Sequence, residues 1–398
     1  MKKLTLQRVA ICLFCVTLIA GGALTMVPHL KSITKQTLQG ATARYEQQPS
    51  IDGWILGAIS GFEAGINENI YQKESFVNLF GLSERLLGKN FVRDAAGEYN
   101  VIKDNHGKLQ FAAQALDTDL YVQEVTKVNE CIKDKGIPLL YVQTPIKVIE
   151  GYTKMPESVV DYSNSNADRF LEALREQNIS VLDLREKVEE DGLDKSTLFY
   201  NTDHHWRAQT AFWAVGKVVE CLDETFGISL DQEGFYTDMS QYKTTFYRQN
   251  FLGSQGRRVG RYYGGLDDYT LITPNFETNY EVTINKGSNA STIEGDFEKA
   301  IIKKNLLNDK SVFTNRYAAY FGADYSEVII KNKTAKQDMK VLVFKDSFAL
   351  PFTAYFSTMV SETRMLDTRY YTGSVTDYIE DYQPDLILYV YKSINTQK

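Results

Sequence analysis

Two short stretches carry the residue types of acyl-transfer chemistry. Asp203-His204-His205-Trp206 places an aspartate two residues before a histidine in a chain with only four histidines. A carboxylate there can fix the imidazole tautomer and stabilise the cation that forms when the ring accepts a proton. Far downstream, the apolar run Val341-Leu342-Val343-Phe344 breaks into Lys345-Asp346-Ser347-Phe348. A serine where a buried strand turns into a helix is well placed to be an exposed nucleophile. Pro351 suits the first turn of such a helix, and backbone N–H groups around Ser347 would then point at a developing oxyanion. Other readings of these residues stay open. Asp203, His204 and His205 could bind a metal, although neighbouring side chains on a strand point to opposite faces, so both histidines converge only on a bent loop. A structural role with Trp206 in the core is the third reading, and Asp346 reads as a helix N-terminal charge rather than a participant.

These residues need a frame, and the pattern around them supplies one. A helical pattern over 119–135 leads into an apolar strand, Pro138 to Gln143, bounded by Gly136 and Pro145. A helix over 166–177 and a strand from Ile179 to Leu184 follow, which is βαβ rhythm. Residues 209–222 read as an amphipathic helix with Phe212, Val215, Val218 and Val219 on its apolar side. From about 227 to 338 the chain turns to Tyr-, Thr- and Gly-rich alternating segments, read as a β-rich insertion. Parallel-sheet rhythm resumes at 340–344, with a helix from about Leu350, a strand over 364–366, a helix over 375–382 and a strand over 386–390. In open parallel sheets sites collect at the carboxyl ends of strands, and Ser347 follows such an end.

At the N-terminus, Val9 to Val27 is uncharged, apolar and preceded by Lys2, Lys3 and Arg8. Its length suffices for a bilayer core of ~30 Å. It reads as a membrane anchor over residues 1–30 with the N-terminus cytoplasmic and the bulk of the chain outside; Ala20-Gly21-Gly22-Ala23 leaves a cleaved signal open. Residues 31–74 read as a polar, mostly helical juxtamembrane stalk, and 75–398 as the globular domain. The net charge of −7 argues against a nucleic-acid partner, which calls for a basic face. Cys131 and Cys221 read as two free thiols, with a single disulfide as the alternative. The 25 tyrosines and 21 phenylalanines suit sheet faces and sugar-binding clefts alike.

The chain resembles the DHHW protein family and, more broadly, the alginate O-acetyltransferase-like branch of SGNH-hydrolase folds. Thr202-Asp203-His204-His205-Trp206 and Lys345-Asp346-Ser347-Phe348 carry the likeness, supported by Val142 to Lys147, Phe251 to Arg257 and Asn315-Arg316-Tyr317. The resemblance implies a three-layer α/β/α domain with Asp203 as orienter, His205 as general base and acid, and Ser347 as nucleophile. Arg257, Ser254, Lys147 and Tyr317 become the candidate substrate contacts, although the Gly253 to Arg257 stretch reads equally as a plain turn. Lys345 stands where a glycine usually precedes Asp-Ser, and no SGNH-type oxyanion asparagine aligns. The implied activity is O-acetylation of a cell-surface or secreted polysaccharide through an acetyl-serine, without cofactor or metal. A membrane-bound O-acyltransferase partner would supply acetyl groups. An acetylesterase with the same residues and a non-catalytic polysaccharide-binding protein are the rival readings.

Overall fold

The computed structural model describes residues 2–94, 97, 99–286 and 289–392. The chain divides into two compact units, Met1–Val77 and Asn78–Lys398. In the first, the helix Lys2–Gln47 runs on through Pro28 and is long and apolar enough to cross a membrane. Its apolar side chains from Val9 to Val27 are largely exposed, as a lipid-facing helix requires. A second helix, Ile51–Glu68, is started by Ser50, whose hydroxyl accepts the Gly53 N–H at 2.9 Å.

The two helices form an antiparallel hairpin that residues 31–74, expected as a polar stalk, did not announce. Gly53, Gly57, Gly61 and Gly65 recur every fourth residue and therefore share one helix face, which is buried. A Cβ on Gly57 would lie 2.4 Å from the Gly40 carbonyl oxygen, and one on Gly61 would lie 2.3 Å from that of Gln36. The helices thus touch backbone to backbone, as small residues at this spacing allow.

The second unit is built on an eight-stranded sheet in the order 180–183, 139–143, 386–391, 337–345, 360–366, 327–332, 280–286, 289–295. The first five strands run parallel to one another. Leu139–Gln143 and residues 341–345 are buried throughout, because helices cover both sheet faces. On one face lie Ala208–Phe226 and Ala349–Phe356; on the other lie Asp119–Lys133, Ser163–Glu176 and Val375–Tyr382. This is the expected α/β/α sandwich.

The sheet is mixed rather than purely parallel. Strands Glu327–Asn332, Tyr280–Lys286 and Asn289–Gly295, read from sequence as part of a β-rich insertion, extend the sheet in antiparallel fashion. Tyr280, Val282 and Ile284 are buried while Glu281, Thr283 and Asn285 are not, the one-sided pattern an antiparallel edge tolerates. Within the insertion, Tyr242–Phe251 and Asp267–Pro274 stand apart from this sheet, as a two-stranded ribbon. Three short strands, Phe91–Arg93, Asn100–Lys103 and Leu109–Gln110, form a small sheet that the sequence reading did not anticipate. Cys131 and Cys221 are free thiols.

Candidate active site

Ser347 sits in a two-residue turn between strand 337–345 and helix Ala349–Phe356, with Pro351 in the first helical turn. Asp346 shapes this turn. One carboxylate oxygen accepts the Phe348 N–H at 2.9 Å, and the other accepts the Lys392 N–H at 3.0 Å from the end of the adjacent strand. Burial raises its pKa. The Phe348 N–H is thereby committed to Asp346 and is not an oxyanion donor, which narrows the sequence expectation that backbone groups around Ser347 serve that role. Lys345 points away from the turn into a buried ion-pair network. Its ammonium meets Asp324 and lies 3.0 Å from Asp367. A lysine fits where a glycine was expected because two carboxylates receive it.

Residues 201–206 form a bend closed by a bridge between Phe199 and Trp206. The buried Asp267 holds it, accepting the N–H groups of Asn201 and Thr202 at 2.8 and 2.7 Å and the Thr202 hydroxyl at 2.6 Å. The Thr202 hydroxyl oxygen in turn accepts the Gly253 N–H at 2.9 Å. A Cβ on Gly253 would fall 2.1 Å from that of Asp203, so glycine is required here by contact alone.

Asp203 is fully buried and saturated. Its Oδ1 accepts the His205 N–H at 2.9 Å and lies 2.5 Å from His205 Nδ1; its Oδ2 accepts the Ser254 N–H at 2.6 Å. Burial opposes its ionisation, but the charge and hydrogen bond of His205 outweigh this and hold the carboxyl well below its ordinary range. On the far side of the ring, His205 Nε2 lies 2.6 Å from Ser347 Oγ. With Asp203 holding the proton on Nδ1, Nε2 is left to accept from the serine hydroxyl.

Tyr317 and Trp206 lock the two stretches together. The Tyr317 ring stacks on His205 at 3.7 Å between centroids and 10° between planes. The Trp206 indole N–H donates to the Phe348 carbonyl at 3.0 Å and to the Tyr317 hydroxyl oxygen at 3.1 Å, and that hydroxyl donates to the same carbonyl at 3.2 Å. The residue after the serine is therefore pinned to the plate beneath the histidine.

His204 packs against His205 at 3.8 Å, and its Nδ1 lies 2.6 Å from Ser254 Oγ. Burial, and then the charge of His205, push its pKa well below the usual imidazole value, so it is neutral. Because the segment is bent, Asp203, His204 and His205 do converge, with ligand atoms within 4.8 Å of one another. Both nitrogens of His205, Nδ1 of His204 and both oxygens of Asp203 are already engaged in the hydrogen bonds above.

A cavity of about 510 Å³ opens over Ser347 and His205. Of the expected substrate contacts, Arg257, Ser254 and Tyr317 line it. Ser254 is spent on Asp203 and His204, and Tyr317 on His205, so both act on the histidine side. Arg257 gives one Nη to the Phe313 carbonyl at 3.3 Å, while its buried Nε has no hydrogen-bond partner among the described residues. Lys147 is the correction. It is buried outside the cavity lining, and its ammonium donates to the carbonyls of Leu109 (2.6 Å), Asp203 (2.7 Å) and Asn201 (3.2 Å) and to Gln255 Oε1 (2.9 Å). Burial pushes its pKa down to about 7. It supports the Asp203 bend from below rather than meeting a ligand. Asp267 had no sequence signal, being 64 residues from Asp203; Asn315 and Lys392, which also line the cavity, had not been singled out as site residues.

Against known proteins, residues 106–248 match the family model of the SGNH hydrolase-like domain of acetyltransferase AlgX. That region contains Asp203 and His205 and stops short of Ser347. The fold is SGNH-hydrolase-like. Bacillus cereus PatB1, solved with a sulfonyl adduct, aligns at TM-score 0.61 and 20% identity over 75% of this chain and 97% of that one. A DHHW family protein from Eubacterium siraeum aligns at 0.55 and 19% over 76% and 93%. At these identities the likeness is one of fold. No curated protein matches the sequence.

Proposed function

We propose that this chain is a membrane-anchored, extracytoplasmic serine O-acetyltransferase that modifies a polysaccharide. The observation carrying this reading is the hydrogen-bonded series from Asp203 through His205 to Ser347, at 2.5 and 2.6 Å, set at the carboxyl end of a parallel strand. His205 Nε2 takes the Ser347 proton as Oγ attacks the acetyl carbonyl of a donor. The tetrahedral intermediate collapses, the leaving group departs with the proton from His205, and acetyl-Ser347 remains. A sugar hydroxyl then gives its proton to His205 and attacks the acetyl carbon. Its ester forms, and Ser347 regains its hydrogen. Asp203 stabilises the imidazolium in both halves.

Side-chain donors within the cavity lining that suit a developing oxyanion are Asn315, Arg257 and Lys392, beside the Ser347 backbone N–H. The match to the acetyltransferase AlgX domain supports the acyl group, and the N-terminal helix supports the anchor. Outside the cell no acetyl-CoA is at hand, so the acetyl group reaches Ser347 from a membrane-bound O-acyltransferase partner. The test is to incubate the full chain in detergent with 4-nitrophenyl acetate, with and without an oligosaccharide acceptor, alongside Ser347→Ala. Acetylated sugar that depends on Ser347 supports the transferase. Serine-dependent acetate release with unmodified sugar makes the protein an esterase, and no turnover of the ester overturns the catalytic reading.

A further inference from the structure

On the sheet face covered by Asp119–Lys133 and Val375–Tyr382 lies a second cavity of about 430 Å³ that the acyl-transfer chemistry does not use. Its volume is in the range of small-molecule sites, roughly 300–1,000 Å³. The sheet builds its floor. Phe344, Tyr389 and Tyr141 are register partners on three adjacent parallel strands, so their side chains share one face. The Phe344 and Tyr389 rings lie 4.5 Å apart at 25°, and Tyr389 and Tyr141 lie 5.9 Å apart at 23°. Tyr391, two residues further along the same face, is tilted 10° from Tyr141. Tyr121 and Tyr371 line the walls.

A core that only needed filling would place phenylalanine at these positions, since a phenol adds a polar atom that must find a partner. Five tyrosines around one cavity instead offer ring surface together with hydroxyl donors and acceptors. A pyranose ring has that same division, apolar C–H faces and a polar edge. The charged Lys127 at the lining would be stripped of water without recompense by an alkyl chain but could pair with sugar hydroxyls.

Position adds the second argument. Arg369 lines both this cavity and the one over Ser347. It is held there by Asp367, whose two oxygens accept its Nε and Nη2 at 2.8 and 2.6 Å, and Asp367 is shared with the buried Lys345 at 3.0 Å. Burial opposes ionisation of Asp367, but the Arg369 hydrogen bonds and the Lys345 charge outweigh it and keep the carboxyl below its ordinary value. Arg369, which lines both cavities, is therefore held in place by an ion-pair network.

We propose that the tyrosine cavity is a saccharide subsite, holding a pyranose unit of the acceptor chain some way from the unit being acetylated, with the chain passing Arg369 to reach Ser347. The inference rests on the acetyltransferase reading for its purpose, but its test does not need turnover. Saturation-transfer NMR is run on the full chain in detergent with three β-1,4-linked probes: the tetramers of glucose, N-acetylglucosamine and xylose. At least one tetramer receives saturation from the wild type, and Tyr371→Ala weakens its binding about tenfold. Thr376→Trp, which fills the cavity from its half-exposed rim, abolishes the signal even if the alanine variant is poorly folded. The signal needs no turnover, so a serine found inert in the ester assay with sugar binding intact removes the acyltransferase reading and leaves this one standing. The inference is overturned if none of the tetramers receives saturation, if saturation survives undiminished in Thr376→Trp, or if octyl glucoside binds the cavity through its alkyl protons alone.

Discussion

Replacing Asp203 by asparagine separates charge from geometry at this site. The carboxylate accepts three N–H groups, two on Oδ1 from His205 and one on Oδ2 from the Ser254 backbone. An asparagine amide must turn its NH2 toward one side. Facing His205, it would oppose two donors; facing Ser254, only one. The second orientation wins by that count, and it keeps the amide oxygen on His205 Nδ1, so the tautomer that leaves Nε2 free to accept from Ser347 survives. What disappears is the negative charge that stabilises the imidazolium. At ~4 Å and an effective dielectric of ~20 that interaction is about 4 kcal/mol, or roughly three decades in rate. The buried Ser254 N–H left without an acceptor costs a further ~1–3 kcal/mol of stability. Steady-state turnover of 4-nitrophenyl acetate and a thermal melt on the same preparation read both quantities. An Asp203→Asn variant within tenfold of wild-type turnover, or one that melts at the wild-type temperature, would refute this account of the carboxylate.

Three further outcomes follow from the same geometry. Gly253→Ala drives a Cβ into the Asp203 backbone, with Cα only 2.5 Å away, so it lowers turnover at least about a hundredfold and destabilises by ~1–3 kcal/mol; wild-type turnover would show that the bend yields. His204→Ala loses one contact to Ser254 and costs less than about tenfold, whereas His205→Ala costs several orders of magnitude; equal losses, with zinc found by elemental analysis, would move the site to metal chemistry. Lys147, with a folded pKa of about 7 against 10.5 for the free side chain, is neutral in the native state and charged in the unfolded state between those values. Unfolding there takes up a proton, so stability rises with pH across that window by at most about 1.4 kcal/mol per unit. Lys147→Met removes this rise, and denaturation curves from pH 7 to 10 that keep the wild-type slope would refute it.

What could be read from the sequence is what local pattern encodes. The helical periodicity read over 119–135, 166–177 and 209–222 and the apolar strands read at 138–143, 340–344 and 386–390 pointed to the sandwich, because burial on both sheet faces leaves no polar alternation to confuse them. The strands at 280–295 and 327–332 fall within the stretch read as a β-rich insertion, but their place at the sheet edge was not legible, since alternation reports one buried face and not which neighbour covers it. Gly53, Gly57, Gly61 and Gly65 were overlooked for a different reason: glycine lowers helix propensity and reads as a break, unless its fourfold spacing is weighed as a packing face.

The candidate site divides along the same line. Asp203, His205 and Ser347 announce themselves because each sits in a short motif, and the structure brings their side chains into hydrogen-bonding contact across 142 residues. Lys147 follows a strand end just as Ser347 does, and sequence gives no sign that one faces up into a cavity while the other faces down onto a bend. The difference is made by partners: Lys147 finds the carbonyls of residues 109, 201 and 203, all supplied by distant segments, and four oxygens around one ammonium leave it nothing to offer a ligand. Asp267 does the corresponding work from another element, fixing the N–H groups of Asn201 and Thr202. A bend carrying a base is thus held by a buried lysine amine on its carbonyls and a buried aspartate side chain on its amides. Neither group need touch a substrate for the spacing between His205 and Ser347 to depend on both.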